Sequence, residues 1–75
     1  MNPIKKEDLL IQLGYHIRTI RKSKKLTLEQ LACDANVEIS QIYRIEKGKI
    51  NPTFTTLHAL SIGLEIPLKE LFHHY

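Results

Sequence analysis

The stretch from Leu26 to Gly48, Leu-Thr-Leu-Glu-Gln-Leu-Ala-Cys-Asp-Ala-Asn-Val-Glu-Ile-Ser-Gln-Ile-Tyr-Arg-Ile-Glu-Lys-Gly, constrains this chain more than any other segment. Thr27 followed by Gln30 matches a capping box, in which each side chain satisfies a free backbone N–H at a helix start. Leu28, Leu31, Ala32 and Ala35 then recur at helical spacing and make one apolar face. Asn36 is expected to end that helix in the left-handed conformation, which Asn tolerates better than most residues. A second helix is expected from about Ile39 to Lys47, closed by Gly48. Two short helices on a tight polar turn are therefore written into these residues.

The rest of the chain supplies more helix. Leu10, Leu13, Ile17 and Ile20 form one stripe of a first helix beginning near Glu7. Glu7 and Asp8 suit its positive end, and basic residues suit its negative end. Gly14 interrupts it at a cost of roughly 1 kcal/mol relative to Ala, and marks close packing against another helix. Asn51-Pro52 breaks the chain into an extended link. Thr53 can cap a helix with Phe54, Leu57, Leu60 and Leu64 as its stripe. Pro67 suits the first turn of a short last helix through Leu68, Leu71 and Phe72. The expected fold is all-α: a compact five-helix bundle without strands. Residues 1–6 are expected to form an arm and residues 7–75 one domain.

Seventy-five residues, 43% of them hydrophobic and 25% charged, suit a small globular domain. No separate sensing or catalytic domain is expected. No apolar run is long enough to span a membrane, and no signal-peptide pattern opens the chain. Cys33 is the single cysteine, so no internal disulfide forms, which fits a reducing cytoplasm. Its place beside Ala32 suggests a small core residue. The net charge is +3. Arg18, Arg21, Lys22, Lys24 and Lys25 fall together with no acid between them, as a solvated helix end or as a footprint for nucleic acid.

At roughly 100° per residue, Ile42 and Ile45 mark the core side of the third helix. Ser40 and Arg44 point the opposite way, with Tyr43 and Lys47 beside them and Ile39 at the boundary. That face carries no acid. Two helices on such a turn form a helix-turn-helix, here over about residues 27–47, whose second helix can lie in the DNA major groove. Arg can bond guanine O6 and N7 together, Tyr and Lys suit phosphates, and Ile39 can touch a thymine methyl.

Taken together, residues Leu13 to Phe72 resemble the Cro/C1-type (XRE-like) helix-turn-helix domain of phage repressors and bacterial regulators. The matching pieces are Leu13-Gly14-x-x-Ile17-Arg18-x-x-Arg21, Leu26-Thr27-x-x-x-Leu31-Ala32, Ile42-x-x-Ile45-Glu46-x-Gly48, Asn51-Pro52, Leu57 and Leu71-Phe72. The resemblance implies a lambda-repressor-like five-helix fold that binds double-stranded DNA, usually as a homodimer on a two-fold symmetric operator. It puts base contacts on Ile39, Ser40 and Arg44. Backbone contacts are expected from Thr27, Tyr43, Lys47, Lys49 and Asn51. It also implies that Arg21 and Glu46 form a partly buried ion pair bracing the first helix against the third. The chain departs from the family at Leu28, where a phosphate-contacting Gln is usual, and at Glu38, where a small N-cap residue is usual. Gly63 and Glu65 depart as well, and suggest a looser end to the fourth helix.

Other chemistry is not expected. His16, His58, His73 and His74 do not pair at i, i+4, and none is near Cys33 in sequence, so no metal and no cofactor is expected. No catalytic motif is present, and the chain is not expected to be an enzyme. Leu68, Leu71, Phe72 and Tyr75 put apolar bulk at the C-terminus, either as a lid on the core or as part of a dimer surface. The expected role is a cytoplasmic, nucleoid-associated autoregulator such as a restriction-modification controller or a Cro-like repressor. The alternative is an antitoxin-like module whose main partner is a protein such as a toxin.

Overall fold

In the computed structural model, which describes residues 5–72, the chain forms α1 (Lys6–Ser23), α2 (Leu28–Ala35), α3 (Ile39–Glu46), α4 (Phe54–Gly63) and a terminal 3-10 helix (Leu68–Phe72). No strand occurs among the described residues. The expected five α-helices are thus four, because the last segment is too short to settle into an α ladder. It tightens instead to three-residue closure, with Glu70 N donating to Pro67 O at 3.0 Å.

The elements close into a ring. α1 packs on α3 and on the 3-10 helix, α2 packs on α3 and α4, and α4 packs on the 3-10 helix. Ile17, Leu31, Ile42, Ile45, Leu60, Leu64 and Leu71 fill the middle and are fully buried. Across the ring, His16 Nε2 donates to the backbone oxygen of Glu70 at 2.7 Å, tying α1 to the terminal helix.

Two expectations about burial are corrected, and one pair of alternatives is decided. Cys33 is exposed. It lies two positions from both Leu31 and Ala35, the buried residues of α2, and so faces away from them. Phe54, on the expected stripe of α4, is 67% exposed. It is the first residue of α4, at the edge of a contact made by Leu57, Leu60 and Leu64. Leu71 is 0% exposed and belongs to the core, so it does not contribute to a surface for dimerisation. Leu68 is half-buried, Phe72 is exposed, and Tyr75 lies outside the described residues.

All four α-helices end the same way. A residue with positive φ follows each of them: Lys25 (60°), Asn36 (55°), Gly48 (72°) and Glu65 (58°). In each case its N–H bonds to a carbonyl three residues back, and the next N–H reaches five back: Leu26 to Arg21, Val37 to Ala32, Lys49 to Arg44, and Ile66 to Ser61. This double closure is the Schellman motif. The end of α4 is therefore closed, not loose. Gly63 there packs so tightly that a Cβ would lie 2.9 Å from the Ala35 Cβ.

Candidate nucleic-acid interface

α2 opens with the capping box that its sequence encodes. Thr27 Oγ1 accepts from Gln30 N at 3.0 Å, and Gln30 Oε1 accepts from Thr27 N at 2.8 Å. Glu29, between the two, is the acid of that first turn. After α2, Asn36 turns the chain and Glu38 leads into α3 with extended backbone and no side-chain cap bond. An uncapped start of this kind forgoes about 1 kcal/mol relative to Ser or Asp.

α3 is held from behind at both levels, backbone and charge. Gly14 of α1 lies against the last turn of α3, where a Cβ would collide with the Ile45 carbonyl oxygen and lie 2.7 Å from that of Glu46. Only hydrogen fits there. Arg21 reaches across with Nε donating to Glu46 Oε2 at 2.7 Å and Nη2 donating to Glu46 Oε1 at 3.0 Å. Its Nη1 donates to Leu26 O at 2.8 Å. Arg21 and Glu46 are both buried. The hydrogen bonds to Glu46 raise the Arg21 pKa above its ordinary value, against the lowering effect of burial, and Coulombic attraction to Glu46 adds to the rise. The guanidinium is therefore permanently charged. Of the basic run seen in the sequence, Arg21 is thus spent internally, and Arg18, Lys22, Lys24 and Lys25 carry the surface charge.

The outer face of α3 carries Ile39, Ser40, Tyr43 and Arg44, all exposed. With Leu28 and Lys49 they line one hollow of about 450 Å³ between α2 and α3. Lys47 stands beside it, with Nζ 5.6 Å from the Tyr43 ring centre, in cation–π range. Thr27 is exposed next to Leu28. Its oxygen already accepts a capping bond, and its O–H remains able to donate to a phosphate. Asn51 does not line this hollow. It lines a second hollow with Lys6, Leu9, Leu10, Leu13, Leu57 and Phe72. Sequence spacing missed Leu28 as a lining residue, because helix periodicity assigns it to the core and half of its side chain is indeed buried there. No helix among the described residues is long and apolar enough to cross a membrane.

The helix-turn-helix family model matches residues 17–71. The control protein C.MunI of Mycoplasma sp is 35% identical over 66 residues, which are 87% of this chain and 89% of that protein. The immunity repressor protein of Bacillus phage phi105 is 39% identical over 59 residues, 79% of this chain and 41% of that protein. The chain thus spans about two fifths of the length of that repressor, and 40% of the HTH-type transcriptional regulator SlrR of Bacillus subtilis, 39% identical over 61 residues. Among solved structures, the restriction-modification controller protein C.AhdI from Aeromonas hydrophila superposes with a TM-score of 0.85 at 29% identity, over 87% of this chain and 98% of that one.

Proposed function

Since the chain belongs to the helix-turn-helix family, we propose that it is a sequence-specific double-stranded-DNA-binding transcriptional regulator of bacterial or phage type, acting by recognition and not by catalysis. The observation that carries this reading is the outer side of α3: an exposed guanidinium, hydroxyl, phenol and ammonium on one face, with no acid among the residues lining the hollow beside it. Arg44 reads a base, assisted by Ser40 and Ile39. Thr27, Tyr43, Lys47 and Lys49 hold phosphates, which fix register without reading sequence. Asn51, which lines a separate hollow, makes a further backbone contact from the link after α3. Two copies bind a two-fold symmetric operator with their α3 helices about one helical turn apart. The similarity to controller proteins and an immunity repressor supports an autoregulatory switch, working in the cytoplasm on the cell's own or phage DNA.

The test is selection of a randomised duplex library by the purified protein at about physiological salt, since low salt inflates non-specific binding. The expected result is an enriched palindrome with half-sites about 10 bp apart. In that operator Arg44→Ala is expected to lose about 1–3 kcal/mol and relax specificity at one position. A folded protein that enriches no sequence would overturn the proposal.

A further inference from the structure

The hollow between α2 and α3 is not uniformly polar. Leu28, Ile39 and the Tyr43 ring give it an apolar floor, while Ser40, Arg44 and Lys49 form the rest of its lining. Ile39 is 42% and Tyr43 48% exposed, so large apolar surfaces stand in water on the face that otherwise carries cations. A Leu and an Ile side chain can neither bond a phosphate nor read a donor or acceptor on a base edge. The one apolar group that a DNA duplex presents in its major groove is the 5-methyl of thymine. The cations on the lining complement the phosphates that flank it.

We propose that Leu28, Ile39 and Tyr43 form a socket for a pyrimidine 5-methyl group in each operator half-site. The inference rests on the DNA-binding reading above and deepens it. Leu28 becomes a specificity-determining residue contributed by α2, so that both helices of the motif read the groove. Because 5-methylcytosine carries the same group at the same ring position, the socket also makes binding sensitive to cytosine methylation at that site.

The experiment starts from the selected operator and replaces each thymine of a half-site by uracil, which removes the methyl and nothing else. One position is expected to lose about fourfold in affinity, the equivalent of roughly 0.8 kcal/mol for one buried methylene-sized group. Ile39→Ser, whose side chain is outside the core, is expected to bind the thymine and uracil duplexes alike, and Leu28→Ala to narrow the difference. At the same position, a 5-methylcytosine–guanine pair is expected to bind the wild type about fourfold more tightly than an unmethylated cytosine–guanine pair. Circular dichroism confirms that both variants are folded. Half-sites without a sensitive thymine, or a penalty that persists unchanged in both variants, would overturn the socket while leaving the operator and the DNA-binding reading intact. Absence of any operator would overturn both.

Discussion

Arg21 joins three segments with one side chain: α1, the link ahead of α2 through Leu26, and the last turn of α3 through Glu46. A buried charge pair of this kind adds little over a well-packed apolar pair, but removing one partner strands the other. Glu46→Gln is therefore expected to destabilise the fold by about 3 kcal/mol, or roughly 15 °C in Tm. Arg21→Met combined with Glu46→Leu is expected to recover most of that loss in the same thermal melts. The sign with pH follows from the direction of the Arg21 shift. A cation whose pKa is raised in the folded state contributes stability below its unfolded pKa and loses it only as pH rises through the folded one. For arginine that window is strongly alkaline, so the Arg21 contribution is constant across neutral pH. Gly14 acts on the same joint by shape. Gly14→Ala pushes a methyl onto the backbone of Ile45 and Glu46, which cannot swing aside as a flexible side chain can. The expected loss is about 1–3 kcal/mol, visible as a lower urea midpoint with unchanged m.

The helix ends show what a single sequence can and cannot announce. The starts of α2 and α4 are legible because Thr27 with Gln30, and Thr53 with Thr56, bond within one turn of themselves. The stops at Asn36 and Gly48 are legible because those residue types tolerate positive φ. Lys25 and Glu65 adopt the same conformation without any such signature. They are held there by the packing of Leu26 and Ile66 against the core, which no local pattern encodes. The burial expected from spacing fails for the same reason at Cys33 and Phe54. Periodicity says which residues share a face, but not which faces another element covers. The outer face of α3 was legible because Ile42 and Ile45 fix its core side unambiguously. Leu28 was not, since it serves core and hollow at once. The strain at Lys25 and Glu65 is testable. Replacing either by Gly relieves about 1–2 kcal/mol of left-handed strain and gives back roughly half of it in backbone entropy. Each variant is expected to be more stable by roughly 0.5–1 kcal/mol in urea denaturation.

For the molecule as a whole, a net charge of +3 is too small to explain DNA affinity by bulk attraction. What matters is where the cations stand, and Arg44, Lys47 and Lys49 stand together on or beside the outer face of α3 while Arg21 is withdrawn into the interior. Each phosphate contact releases counterions and contributes about −0.9 to the slope of log K against log salt. Lys49→Ala is accordingly expected to weaken all duplexes alike and to make that slope shallower by about one. Arg44→Ala, in contrast, is expected to change which duplex is preferred. A salt titration of both variants against operator and scrambled DNA separates the two roles. The ring in which the helices are arranged has one more consequence. Lys6 and Phe72 border the same hollow, and that hollow shares no residue with the one beside α3. The two ends of the described chain therefore meet at one edge of the molecule, and a ligand or a probe seated between Lys6 and Phe72 leaves the outer face of α3 uncovered.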